Sequence, residues 1–165
     1  MFTRTKTAPD AATDQDVAVV RRALAGLDPW SFWVVAAPLG GAVDFCVVGT
    51  TGAFGVSVCA MEGNLKASTH RVVVGGRSVS GVWGLKRAVR KLSTKLRSAT
   101  VVVPVQTIVC LTRARHGAPR TIRGVRVVGP DDLVQEIAGR KKILQGPRAR
   151  KGAQALGDVS SRNAS

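Results

Sequence analysis

Residues 43–59 read Val-Asp-Phe-Cys-Val-Val-Gly-Thr-Thr-Gly-Ala-Phe-Gly-Val-Ser-Val-Cys. Two runs rich in β-branched and aromatic residues, split by Thr50-Thr51 between Gly49 and Gly52, predict a β-hairpin. With the threonines as the turn, Gly49 faces Gly52 and Asp44 faces Ser57. Strand side chains alternate between faces. One face therefore holds Asp44, Cys46, Val48, Ala53, Gly55, Ser57 and Cys59, and the other holds Val43, Phe45, Val47, Phe54, Val56, Val58 and Ala60. The second is a core face. The first is small or polar and covers a narrow space into which one carboxylate projects, and an unpaired buried charge is costly enough to need a reason. A one-residue slip of the turn would exchange the two faces.

Working outward, Asp14 or Asp16 can cap a helix whose apolar positions Val17, Val20, Leu24 and Leu27 recur at helical spacing, stopping at Asp28-Pro29. Trp30 to Pro38 predicts a short strand and Gly40-Gly41 a turn. A further strand is expected over Arg71 to Val74, with Gly75-Gly76 after it. Val82 to Arg97 is the clearest helix. Val82, Leu85, Val89, Leu92 and Leu96 form its apolar stripe, and Lys86, Arg87, Arg90, Lys91, Lys95 and Arg97 cover the opposite face. Val101 to Leu111 is apolar enough for the middle of a sheet, and Gly124 to Val128 is another strand. Gly129-Pro130-Asp131-Asp132 then opens a short helix with acidic residues where the helix dipole favours them.

The fold class expected is α/β, a central mixed sheet flanked by helices, in one domain over residues 13–138. Residues 1–12 are expected to be a flexible N-terminus, and the Arg-, Lys-, Gly- and Ala-rich residues 139–165 a flexible basic tail. At 165 residues with 45% hydrophobic content the chain can bury a core without disulfide or metal staples. Its three cysteines, at 46, 59 and 110, sit in apolar runs without CxxC spacing and read as buried thiols in a reducing cytoplasm. No secretory leader and no run of about 18 apolar residues is visible, so no membrane partner is expected. The Ala, Val, Arg and Gly content fits a GC-rich bacterial genome.

The order of elements, with Val-Asp-Phe-Cys-Val-Val-Gly-Thr-Thr-Gly-Ala-Phe-Gly-Val at its centre, resembles the nuclease-related domain (NERD) family of the PD-(D/E)XK nuclease-like superfamily. Members read Ile-Asp-His-Val-Val-Val-Gly-Pro-x-Gly-Val-Phe-Val-Ile-Glu-x-Lys over the matching stretch. The segments from Val101 to Thr112 and from Arg123 to Leu133 also look like the end of such a domain. The resemblance spans roughly residues 13–138 and implies a restriction-endonuclease-like core. It places the metal-binding Asp on Asp44, the catalytic Glu on Ser57 and the catalytic Lys on Cys59. Two of those three catalytic groups are therefore missing. The family's helix-borne Glu has no clear counterpart, although Asp16 lies near its expected place.

Those replacements bear on cleavage directly. Mg²⁺ is a hard ion that prefers carboxylate oxygens, so a lone Asp44 would be a weak metal site. A thiol at the Lys position cannot offset charge developing on phosphorus. Asp44 reads either as a residual metal ligand or as a carboxylate hydrogen-bonded to Ser57 or to a backbone amide. Glu62 with Lys66 reads either as a displaced catalytic pair or as a solvated turn. No cofactor is expected, beyond Mg²⁺ if the protein cleaves.

Charge is the stronger functional signal. The chain carries a net charge of +15, with a pI near 11.4. Between Glu62 and Asp131 there is no acidic residue, while fourteen Lys and Arg residues occur there. Such an imbalance points to an anionic partner, nucleic acid and DNA first. The expectation is a nuclease-related domain that binds nucleic acid through Lys86, Arg87, Arg90, Lys91, Lys95 and Arg97, with phosphodiester cleavage lost. The alternatives are an active Mg²⁺-dependent nuclease using Asp44 with relocated carboxylates such as Asp16 or Glu62, and an RNA-binding or assembly protein. Trp30, Trp33 and Trp83 are expected to be core or edge anchors, and His70 and His116 are given no role.

Overall fold

The computed structural model of the chain describes residues 12–41, 43–67, 72–78 and 82–157. In chain order the elements are α1 (Asp14–Leu24), β1 (Phe32–Ala36), a short turn of helix α2 (Pro38–Gly41), β2 (Phe45–Gly49) and β3 (Gly52–Cys59). Then follow β4 (Gly63–Ala67), β5 (Val72–Val74), β6 (Arg77–Ser78), α3 (Val82–Ser98), β7 (Val105–Leu111), β8 (Ala114–Arg115), β9 (Arg120–Ile122) and β10 (Val125–Val128). A 3-10 turn over Pro130–Asp132 leads into α4 (Leu133–Ala138), and α5 (Gly146–Leu156) is the last described helix.

The hairpin forms in the expected register. Gly49 faces Gly52, Cys46 faces Gly55 and Phe45 faces Val56. Gly52 takes φ +124°, a conformation that glycine reaches without a Cβ clash. β1 pairs antiparallel with β2, β2 with β3, and then β3, β7 and β10 run parallel, with β9 antiparallel at the edge. The result is a mixed six-stranded sheet in the order β1-β2-β3-β7-β10-β9, beside a four-stranded sheet β6-β5-β4-β8. The parallel step from β3 to β7 is made through α3, as a parallel pair requires a crossover.

Both faces of the main sheet are buried, giving an α/β protein with helices on each side. On one face Cys46, Val48 and Ala53 join Leu85, Val89, Leu92 and Leu96 of α3 and Ala149, Ala153 and Leu156 of α5. On the other, Phe45, Val47, Phe54, Val56 and Ile108 pack with Val20 and Leu24 of α1 and Leu133 and Ile137 of α4. α3 approaches the sheet closely at Gly55, where a Cβ would lie 2.9 Å from Val89 Cγ2 and 3.4 Å from Leu92 Cδ1. The small residues of that hairpin face thus admit a helix rather than line an open space.

Several local expectations are corrected. Thr13, not Asp14 or Asp16, is the N-cap of α1. Its hydroxyl accepts the Asp16 N–H while Asp16 Oδ2 accepts the Thr13 N–H, which is a capping box. Val43 lies in the α3 and α5 core rather than with Phe45, because β2 begins only at Phe45 and strand alternation does not extend before it. β4, β8 and β9 were not expected. The segment around Glu62 and Lys66 leads into β4 and carries it, rather than forming a solvated turn.

The largest correction concerns residues 139–165. Ile143 and Leu144 donate their backbone N–H groups to the Thr50 carbonyl at 2.7 and 3.0 Å, anchoring this stretch to the hairpin turn. Thr51 Oγ1 donates to the Ile137 carbonyl at 2.7 Å. α5 then packs on β1, β2 and α3, with Ala149, Gly152, Ala153 and Leu156 buried. These recur at i, i+3, i+4 and i+7, so a compact helix side lies flat on its neighbours. Residues 1–11, 42, 68–71, 79–81 and 158–165, with His70, Arg71 and Arg162 among them, lie outside the described residues, as does the side chain of Trp83.

If α5 is part of the core, Ala153→Glu places a carboxylate at a fully buried position. Thermal unfolding followed by circular dichroism should then show a Tm lowered by roughly 10 °C. A flexible tail would tolerate the same change.

Candidate functional site

Asp44, Ser57 and Cys59 lie at the outer end of the hairpin, where Asp44 and Ser57 are in contact. Asp44 is half-buried, one residue before β2, with its backbone carbonyl accepting the Ala37 N–H at 2.9 Å. Its carboxylate Oδ2 accepts the Val58 N–H at 2.7 Å and the Ser57 hydroxyl at 3.4 Å. The carboxylate therefore ties the start of β2 to the end of β3, which is its structural reading. Ser57 is spent as a weak donor to it.

Cys59 is half-buried and packs against the α3 and α5 core. Its backbone carbonyl accepts the Thr112 N–H at 3.0 Å, with the Thr112 hydroxyl, whose shorter bond goes to Asp16, 3.3 Å away. Burial pushes the Cys46 thiol up to about 12. Burial, reinforced by the neighbouring Cys59, does the same to Cys110, again to about 12. A thiol held neutral in this way is a poor nucleophile near neutral pH.

Asp16 is engaged elsewhere. Its Oδ1 accepts from Thr112 Oγ1 at 3.0 Å and Arg113 Nε at 3.0 Å. Its Oδ2 accepts from the Thr13 N–H at 2.8 Å, Thr13 Oγ1 at 2.8 Å and Arg113 Nη2 at 2.8 Å. Burial alone would raise its pKa, but the Arg113 hydrogen bond, helped by those from Thr13 and Thr112, overrides burial and holds the carboxyl well below the usual range. Glu62, mostly exposed, also approaches Arg113, at 3.7 Å. Both carboxylates considered as relocated catalytic groups thus face an arginine.

This donor set does not fit Mg²⁺. Asp16 has no oxygen without a hydrogen-bond donor, Asp44 brings one carboxylate, and Ser57 and the cysteines bring no charged oxygen. Among the described residues no three His, Cys, Asp or Glu side chains group as a metal site.

The cationic side of α3 has a different character. Leu85, Val89, Leu92 and Leu96 are buried, while Arg87, Arg90, Lys91, Lys95 and Arg97 are exposed and Lys86 is half-buried near Gly124. Arg87, Arg90, Lys91 and Lys95 line a shallow groove of about 400 Å³ whose far lip is Leu39 of α2. Among the described residues no carboxylate pairs with Arg87, Arg90, Lys91, Lys95 or Arg97. Arg97 lies outside the groove.

Among the described residues, at least two cations of the acid-free stretch have counter-charges supplied from outside it. Arg113 pairs with Asp16, and Arg126 pairs with Glu136 at 2.9 Å. In the C-terminal segment Arg140 also binds Glu136, at 2.7 Å, and Arg148 donates to the Thr100 carbonyl at 2.6 Å. Trp33 is half-buried against the core, but Trp30, expected to be an anchor, is 79% exposed. Its place after Asp28-Pro29 puts it on a turn outside β1. His116 is half-buried, with Nδ1 2.8 Å from the Gly117 carbonyl.

No family model matches the chain, and neither a curated protein nor a solved structure matches it. Among the described residues no helix is long and apolar enough to cross a membrane.

The Asp16 network has a pH signature. A carboxyl whose folded pKa is lowered stabilises the fold above its unfolded pKa of about 3.9, and that contribution is lost as pH falls through the folded value. Asp16→Asn should lower Tm by roughly 5 °C at pH 7. The gap to the unchanged protein should close as the pH is taken below about 4. A gap that stays constant down to strongly acidic pH in thermal melts would contradict this role.

Proposed function

We propose that this protein is a nucleic-acid-binding domain with a restriction-endonuclease-like core of the NERD type, which holds DNA on α3 and has lost phosphodiester cleavage. The observation that carries the reading is the α3 face, where four cations line one groove and no described carboxylate neutralises Arg87, Arg90, Lys91 or Lys95. A solvated helix usually mixes charge signs to limit self-repulsion. A helix that keeps one sign, held rigidly by its buried stripe, suits a polyanion.

The core architecture supports the nuclease-fold part. In the main sheet α1, the antiparallel strands β1, β2 and β3, the crossover helix α3 and the parallel strand β7 occur in the order that the family resemblance implies, with α2 and the strands β4, β5 and β6 inserted between them. Loss of cleavage is supported by the chemistry at the matched positions. Asp44 is bonded to Val58 and Ser57, and the thiol of Cys59 stands where the family carries a Lys. Contacts of this kind reach phosphates and not base edges, so binding is expected to be nonspecific and strongly salt-dependent.

The test is the salt dependence of duplex DNA binding, measured by fluorescence anisotropy. Replacing Arg87, Arg90 and Lys91 together with Gln should weaken binding and reduce the slope of log K against log salt by roughly 3, about one for each phosphate that is no longer neutralised. An unchanged slope would rule out this face as the binding surface.

A further inference from the structure

Trp30 is the most exposed of the large apolar side chains described, at 79%. Its backbone is nevertheless fixed. The Asp28 carboxylate accepts the Trp30 N–H at 3.1 Å and the Ser31 hydroxyl at 2.8 Å, while the Asp28 carbonyl accepts the N–H groups of Ser31 and Phe32. The Ser31 carbonyl in turn accepts the Thr50 N–H at 3.0 Å, joining this turn to the hairpin. The indole is therefore an open aromatic surface on a pinned turn: the backbone has little conformational entropy left to lose when something stacks on the ring, while the ring itself is free to turn.

Next to it lies a groove of about 380 Å³, lined by Trp30, Trp33, Arg150, Lys151 and Gln154, with the first residues of α5 at its base. Trp33 is half-buried, so one aromatic wall is anchored and the other is free. Arg150 and Lys151 are exposed, and Lys151 Nζ donates to Thr100 Oγ1 at 3.3 Å. A flat aromatic face, two cations and an amide that both donates and accepts match the parts of one ligand: an unstacked nucleobase and its flanking phosphates. A duplex offers no such base face, because its bases stack on one another. We propose that this groove is a single-strand subsite, in which Trp30 stacks on an unpaired base and Arg150 and Lys151 hold the adjoining phosphates. The inference rests on the nucleic-acid reading of the protein. α5 packs against α3 on the same side of the sheet, so both cationic surfaces belong to one side of the molecule.

The full-length chain is titrated against fluorescent oligo-dT of about 20 nucleotides, a length that covers one such site, and against a duplex of equal length. Trp30→Ala should weaken oligo-dT binding roughly tenfold, with Trp30→Phe retaining most of it. Duplex binding should stay unchanged, and oligo-dT should quench the tryptophan fluorescence of the unchanged protein but much less that of Trp30→Ala. Exposure of the ring makes either substitution tolerable to the fold. Duplex binding together with oligo-dT binding that ignores Trp30 would overturn this subsite and leave the α3 reading intact. Equal weakening of both ligands by Trp30→Ala would overturn single-strand selectivity. Failure of the unchanged protein to bind either ligand would overturn both readings. Trp30-dependent oligo-dT binding that is indifferent to the α3 substitutions would support the subsite and remove α3 as the binding surface.

Discussion

The close approach of α3 to β3 at Gly55 is the constraint on which the rest of the structure depends. A Cβ there would lie 2.9 Å from Val89 Cγ2, so that something would have to shift, and would press against Leu92 Cδ1 at 3.4 Å. Its absence lets α3 lie on the hairpin with Leu85, Val89, Leu92 and Leu96 pressed into the sheet. The same packing orients the helix, so that Arg87, Arg90, Lys91 and Lys95 face outward as a group. One glycine thus links the β3-α3-β7 crossover to the cationic groove.

That packing also explains why a hairpin face of small residues is not an open catalytic cleft. Ala53 and Gly55 lie under a helix, Cys46 is buried beside them, and the polar ends of the face are bonded to each other through Asp44, Ser57 and the Val58 amide. Asp16, the other carboxylate near this end of the sheet, is committed to Arg113. The acidic groups here join strands and helices, and Arg87, Arg90, Lys91 and Lys95 of α3 are left to face solvent.

The hairpin and its register were legible because a two-residue turn between glycines and strict alternation leave few other pairings. α3 was legible from its long, strong periodicity. α5 was not, because its buried side is made of Ala149, Gly152, Ala153 and Leu156, residues that a compositional reading assigns to a flexible tail. Its anchorage at the Thr50 carbonyl is a backbone interaction that side-chain patterns do not encode. β8 has two residues and β9 three, too few for any period to show. Asp44 was correctly paired with Ser57, whereas the bond between Asp16 and Arg113 joins residues 97 apart in sequence. The exposure of Trp30 was hidden because an apolar strand follows it directly.

The function proposed for this domain is to hold DNA without cutting it. The most direct measurement incubates supercoiled plasmid with the purified protein in Mg²⁺ and in Mn²⁺, and reads mobility shift and nicking on the same samples, beside Asp44→Ala. For both proteins the plasmid should be shifted and should stay supercoiled after the protein is removed. Metal-dependent nicking that disappears in Asp44→Ala would contradict that function.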